Sequence, residues 1–220
     1  MPNSTNYTFL ARLGDSADGG RPVLTVYKPA EGETPLWDFP SRTLHRREVA
    51  AYKLSRRLGW PLIPPTVTRV EAPMGVGALQ LFIEAQAEND FFDVREKRPQ
   101  ELVPVALFDV ITNNADRKAG HHLIDATRRM WVIDHGLTFH AEPKLRTVIW
   151  DFAGEPCPAN LRPDVERTRH DLDGELGSEL GELLGKHELD TLRRRLERVC
   201  APGWRFPAPS SAWSLPWPPV

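Results

Sequence analysis

The segment NNADRKAGHHLIDATRRMWVIDHGL, which starts at Asn113, gathers residue types that do chemistry. Asp116, His121 and Asp134 lie in it around two short apolar runs, HHLID and MWVID, which flank a DATRR turn. If the runs pair as a hairpin, Asp116 and His121 precede it, and Asp134 returns to the same edge. Carboxylates and an imidazole at one edge suit a divalent cation. Gly136 permits the sharp backbone turn such a site often needs. Taken alone, NNAD is an ordinary solvated turn. Both clusters at this spacing, behind an apolar helix, favour the site.

Two further residues stand earlier in the chain. Lys28 closes the run PVLTVYK and is one of only six lysines. A lysine there can point its ammonium into a cleft and hold phosphate oxygens, although strand-end lysines are usually just solvated. Glu48 follows 20 residues later, between Arg47 and Val49. It either reaches back to Lys28 from the border of an apolar face or pairs with Arg47 on the surface. Lys118 either neutralises a transferred phosphoryl group or is a surface lysine. His122 faces opposite to His121 and reads as structural, while His140 approaches from the segment after Asp134. Cys157, in a GEPCP turn, reads as inert.

The elements that must position these groups follow from periodicity. Residues 7–13 and 22–28 read as a hairpin, and residues 66–71 and 78–84 as two more strands around a PMGVG turn. Between the pairs, residues 43–58 carry Leu44, Val49, Ala50, Tyr52, Leu54 and Leu58 near helical period, with arginines on the other face. Ser41 or Thr43 caps this helix and Gly59 stops it. Residues 85–98 read as a polar linker. Residues 99–113 read as an apolar helix with Pro104 in its first turns. Residues 137–160 read as mostly loop, and 163–186 and 187–199 as helices. From Ala201 the chain is rich in Pro, Trp and Ser and should lack regular structure. Its Trp204, Trp213 and Trp217 are expected to pack back.

Composition sets the outer bounds. The chain has 220 residues, 40% hydrophobic and 26% charged, enough for a packed core. A net charge of −2 gives no bulk attraction to nucleic acid or anionic lipid. The absence of a long apolar run argues against membrane insertion. The start MPNSTNYTFLARLG lacks a signal-peptide layout, and two cysteines cannot build a disulfide framework, so a cytoplasmic home is expected.

The order is hairpin lysine, helix glutamate, two strands, linker, helix, Asp-x4-His, then a hairpin ending in Asp-x-Gly. A cleft with these groups would hold a nucleoside triphosphate and its metal. The pattern resembles the phosphatidylinositol 3/4-kinase-related and HipA-type branches of the atypical kinases, which use a D-R-x-x-x-N loop and a D-x-G metal motif. Here the motifs read Asp116-Arg117-Lys118-Ala119-Gly120-His121 and Asp134-His135-Gly136. VYKP, PLWDFP, REVAAYKLS, LGWPLIPPTV, NNADRKAGH, WVIDHGLTFH and LRTVIWDFAG together resemble an actinobacterial phosphatidylinositol-kinase-like family over most of residues 4–160.

The resemblance implies a compact α+β, two-lobed, protein-kinase-like fold of the atypical type. Residues 1–86 would form the N-terminal lobe, residues 87–200 a helical C-terminal lobe and residues 201–220 a tail. Lys28 would contact the α/β-phosphates of ATP, and Glu48 would orient it. Asp116 would be the catalytic base. Asp134 would bind Mg²⁺ or Mn²⁺, with His121 in the place of the metal-binding asparagine. Leu81, Phe82, Ile83 and Glu84 would line the adenine. Ser4, Thr5 and Asn6 would stand where a phosphate-covering turn belongs. Two departures matter. No Gly-rich phosphate loop is present, so a Ser/Asn turn must supply backbone N–H groups. And imidazole is a poorer partner for Mg²⁺ than for Mn²⁺.

The function implied is an ATP- and metal-dependent phosphotransferase whose acceptor is a protein side chain or a small polar metabolite rather than a membrane lipid. The alternative is a weak or inactive nucleotide-binding pseudokinase that acts as a binding module. A metal-dependent hydrolase built on Asp116, His121, His122, Asp134 and His140 is a third reading, but it leaves Lys28 and Glu48 without a role.

Overall fold

The computed structural model describes residues 6–14, 22–60, 62–86 and 90–220. β1 (Phe9–Leu13), β2 (Val23–Pro29), β3 (Thr66–Arg69) and β4 (Gly77–Leu81) form one antiparallel sheet in the order β1-β2-β4-β3. The predicted hairpins are both present. β1 lies on β2 with Phe9 opposite Tyr27, and β3 on β4 with Thr66 opposite Gln80. The central pair β2–β4 sets Lys28 opposite Ala78 and Pro29 opposite Gly77. Gly77 permits that close approach, because a Cβ there would stand 2.5 Å from the Lys28 carbonyl oxygen.

α1 (Leu44–Leu58) packs on β3 and β4. It ends at Gly59, whose φ of 79° is the left-handed geometry that glycine adopts without strain. Leu54 and Leu58 are fully buried, each contributing about 1.5–3 kcal/mol by leaving water. One expectation fails on this helix. Arg47 does not lie on a solvent face but is buried. Its guanidinium donates to the Thr138 carbonyl at 2.7 Å, pairs with Glu188 and stacks 4.9 Å from the Phe39 ring.

The stretch read as a linker contains α2 (Phe91–Lys97). Asp90 caps it, its Oδ1 accepting the N–H groups of Phe92 and Asp93 at 2.9 and 3.1 Å. Phe91 and Val94, three residues apart, enter the core. The expected helix over 99–113 is a short 3₁₀ turn, Pro99–Leu102, followed by α3 (Val103–Thr112). α3 is apolar almost all round and is buried on nearly every side, as such a helix must be. Its end is Asn113, in left-handed geometry at φ 53°.

β5 (His122–Ile124) and β6 (Met130–Val132) pair as the expected hairpin, each shorter than the sequence runs. Asp125 builds the turn. Its Oδ1 accepts Thr127 N–H and Arg129 N–H, and its Oδ2 accepts the Trp131 indole N–H. The predicted helix over 163–186 is two, α4 (Arg162–Asp171) and α5 (Glu175–Gly181), broken at Leu172–Gly174. α6 (Lys186–Cys200) follows. One continuous core joins Leu54 and Leu58 of α1, Phe108 and Ile111 of α3, and Leu192, Leu196 and Val199 of α6.

The tail has little regular structure, but only part of it packs. Phe206 and Ser214 are buried and Trp204 lies against the core. Trp213 and Trp217 are 80% and 89% exposed, against the expectation that they pack. Among the described residues no helix is long and apolar enough to cross a membrane.

Candidate active site

Lys28 leaves β2 two residues beyond the point where the chain passes Val26, on the half-buried face of the strand. Its side chain remains 22% exposed. The ammonium donates to Glu48 Oε1 on α1 and to Asp134 Oδ1 at 3.2 Å. The other Glu48 oxygen accepts the His135 N–H at 3.1 Å. Glu48 therefore does not pair with Arg47. It ties the β2 lysine to the turn after β6.

That turn is strained at Asp134, not at Gly136. Asp134 holds φ 62°, a left-handed geometry that aspartate tolerates better than most residues. Gly136 has no such φ. It supplies room, because a Cβ there would meet Leu44 Cβ at 3.4 Å and Glu48 Oε1 at 3.8 Å. The Ile133 N–H donates to the His121 carbonyl at 3.0 Å and closes the hairpin edge. Asp134 thereby returns beside His121, with Oδ2 3.5 Å from Nε2.

Asp116 and Lys118 stand together on the loop after α3, their charges 3.3 Å apart. The Asp116 N–H is taken by Asn114 Oδ1 at 3.0 Å. Asp116 is part-buried, and burial lifts its carboxyl to about 6 against the pull of Lys118. The negative charge of Asp134 lifts it further, so the two carboxylates sense one another.

The Lys28 cluster is electrostatically tight. Burial opposes the charge on Lys28, but Asp134 and Glu48 outweigh it and hold the ammonium above its usual value. Lys28 in turn holds the Asp134 carboxyl far below the usual carboxylate range. Burial pushes the His121 imidazole down to about 4, so it is neutral at physiological pH. Its Nδ1 accepts the Lys118 N–H at 3.4 Å. A neutral imidazole that accepts at Nδ1 carries its proton on Nε2 and donates toward Asp134. Ligation of a cation through Nε2 requires the other tautomer, at the expense of the Lys118 contact. Among the described residues no group of three or more His, Cys, Asp or Glu side chains is gathered for a metal. His121 and Asp134 form a pair.

Sequence reasoning missed Arg117 and His135. Arg117 is fully buried. Its Nε and Nη2 bond the Asp109 carboxylate at 3.0–3.1 Å, Nη1 donates to the Ile133 carbonyl at 2.9 Å, and Nη2 donates to His135 Nε2 at 2.7 Å. One side chain thus joins α3, the Asp116 loop and the Asp134 turn. Asp109, a lone acid inside the apolar run VALFDVIT, was the available signal, since a buried acid demands a partner.

The other predicted residues that the structure describes have their own contacts outside this cluster. Leu81 ends β4 opposite Thr25, three residues along β2 from Lys28, or roughly 10 Å. Phe82 N–H bonds the Leu24 carbonyl at 3.0 Å, and residues 81–84 run half-buried to exposed toward Gln86, which bonds Ile124. Asn6 Oδ1 accepts the Thr34 N–H at 2.7 Å, beyond the end of β2. Ser4 and Thr5 lie outside the described residues. His122 is buried, 4.8 Å from the Phe91 ring, with Nδ1 on the carbonyls of Lys118 and Ala119. His140 bonds the Asp38 carbonyl at 2.8 Å. Neither joins a metal cluster. Cys157 and Cys200 are free thiols, both half-buried, with pKa values raised by burial.

No protein-family model matches the chain. Among solved structures it is similar to the Golgi casein kinase with Mn/ADP bound, with a TM-score of 0.52 and 15% identity over 91% of this chain and 70% of that one. It is also similar to the Helicobacter pylori proinflammatory kinase CtkA, with a TM-score of 0.51 and 11% identity over 90% of this chain and 88% of that one. At such identities the likeness is one of fold, and the fold is a compact, kinase-like α+β arrangement. In sequence, Protein Rv2133c of Mycobacterium tuberculosis is 35% identical over an alignment of 252 residues that takes in 98% of this chain and 88% of that protein. Identity of that level over nearly the whole chain makes it a member of the same family as Protein Rv2133c of Mycobacterium tuberculosis, with a kinase-like fold.

Proposed function

We propose that the chain is an ATP-dependent phosphotransferase that needs a divalent cation and phosphorylates a protein side chain or a small polar metabolite. The observation that carries this reading is the meeting of three charges from three elements. The Lys28 ammonium bonds both Glu48 and Asp134 in a part-exposed place. A fold alone has little use for such a cluster at its surface, whereas a triphosphate and its cation need it.

In this reading Lys28 holds phosphate oxygens and Glu48 keeps it aimed. Asp116, with a carboxyl near 6, takes the acceptor proton. Lys118, beside it, faces the charge that develops on the transferred group. The ionised Asp134 carboxylate is 53% exposed and is the first ligand for the cation, which when bound offsets phosphate charge. His121 either adds Nε2 after a tautomer change or orients Asp134 by donating to it. The donor set, one carboxylate and a neutral imidazole, fits Mn²⁺ at least as well as Mg²⁺. Residues 81–84 would receive the adenine, and Ser4–Asn6 would cover the phosphates. We take 1–86, 87–200 and 201–220 as the two lobes and the tail, cytoplasmic in setting. The relation to phosphatidylinositol-kinase-like proteins belongs to this reading, but a lipid acceptor does not. The net charge of −2 offers no electrostatic hold on an anionic bilayer.

Thermal melting tests the site. ATP with Mn²⁺ or Mg²⁺ should stabilise the wild type by about 2.7 kcal/mol at 100 times the dissociation constant. ATP alone should do less, and Lys28→Ala should abolish the effect. ATP consumption should fall roughly 10²- to 10⁴-fold in Asp116→Asn. A nucleotide shift with equal, negligible turnover in wild type and Asp116→Asn would instead identify a binding module.

A further inference from the structure

We propose that residues 214–220 are a positioning strap for the loop that carries Asp116 and Lys118, holding it in register for transfer. The proposal rests on the phosphotransferase reading above.

Every backbone N–H from Asp116 to Ala119 has a partner. Asp116 and Lys118 use side chains of neighbouring residues, Asn114 and His121. Arg117 and Ala119 use partners from farther along the chain. The Ala119 N–H donates to the Pro219 carbonyl at 2.9 Å. The Arg117 N–H donates to Arg146, and the Arg117 carbonyl accepts Val148, at 3.0 and 3.1 Å. That bordering segment is itself held by the tail. Thr147 N–H donates to the Ser214 carbonyl at 3.1 Å, and the Trp150 indole donates to the same oxygen at 3.3 Å. The tail therefore reaches the loop twice, once directly and once through residues 146–148.

The contacts identify what holds the tail. Trp213 and Trp217 are mostly exposed, so burial of their rings does not place residues 214–220. Ser214 is buried instead, its Oγ accepting the N–H groups of Ser210 and Ser211 at 3.0 and 3.3 Å. Ala119 is buried as well, so water cannot readily replace the Pro219 carbonyl. The strap's hydrogen bond goes to the loop's backbone, and the Asp116 and Lys118 side chains stay about a quarter exposed and face one another. A strap that supports the loop fits this pattern better than a plug that covers it.

A variant lacking residues 216–220 tests the strap. Hydrogen exchange across residues 116–121 should rise relative to wild type. ATP–Mn²⁺ binding, which uses Lys28 and Asp134, should stay within about twofold. ATP turnover should fall roughly 10- to 100-fold in kcat with KM for ATP unchanged, as expected when a reacting group is misplaced by about 1 Å. Ser214→Ala, which loosens only the tail's turn, should show the same pattern more weakly. Unchanged exchange in the shortened chain overturns the strap whatever the reaction. Increased turnover overturns it in favour of an inhibitory cover. Loss of nucleotide binding in both variants assigns the tail to general stability and also overturns it. If the wild type neither binds nor consumes ATP, the phosphotransferase reading fails first, and the catalytic role of the strap falls with it.

Discussion

Asp116 is the residue whose chemistry is most exposed to a simple test. Burial raises its carboxyl to about 6, and Lys118 opposes the rise. A base must be ionised to accept a proton, so kcat/KM should climb with pH through about 6 and then level. Lys118→Ala removes the opposing charge and should move that midpoint upward. His121 titrates near 4 and is neutral throughout this range, so it contributes no second limb. Stability carries the opposite sign. A carboxyl whose folded value is raised favours the folded state most when protonated. Its contribution is therefore lost as pH climbs from the ordinary carboxylate range through 6. A flat rate profile between pH 5 and 7 would remove Asp116 from the role of base.

At the scale of elements, the loop that carries Asp116 is fastened to α3 by a buried ion pair. Asp109 and Arg117 are both fully buried, and Arg117 extends the network to Ile133 and His135. Removing one partner strands the other charge in the interior. Asp109→Ala should therefore cost roughly 3–5 kcal/mol in denaturant unfolding. An apolar replacement of both, such as Asp109→Leu with Arg117→Met, should recover part of the stability but leave turnover low. Recovery of turnover along with stability would show that the pair serves folding alone.

Across the whole molecule, α1 is the bridge. Its Glu48 meets Lys28 from the sheet and His135 from the turn after β6, while the adjacent Arg47 meets Glu188 on α6 and the Thr138 carbonyl. Neighbouring residues thus serve the site and the helical core. Glu188→Ala removes the carboxylate on Arg47 and also the acceptor of the Gly185 N–H at the start of α6. The expected loss is roughly 2–4 kcal/mol, since Glu188 is partly open to solvent. Weaker ATP–Mn²⁺ binding should accompany it, because α1 carries Glu48. Calorimetric unfolding paired with nucleotide titration checks both, and a stability loss with unaltered binding would separate the role of Arg47 from that of Glu48.

What the sequence determined by itself was local. Hydrophobic period placed both sheet hairpins, α1 and α6, and the HHLID and MWVID runs predicted the return of Asp134 to His121, all within a few residues of their observed bounds. The same reading missed α2, where a single cap and two core-facing residues, Phe91 and Val94, make too faint a periodic signal. Only the tertiary structure decided which charges meet. Lys28 and Asp134 are 106 positions apart, and no periodicity connects them. Arg47 and Arg117 look like surface arginines in sequence, because burying a guanidinium depends on acceptors supplied by other elements. The same holds for the tail. Its tryptophans suggested packing, and Trp204 does pack beside the buried Phe206. Beyond Trp213 the chain is held by carbonyl and hydroxyl contacts instead, which composition does not reveal.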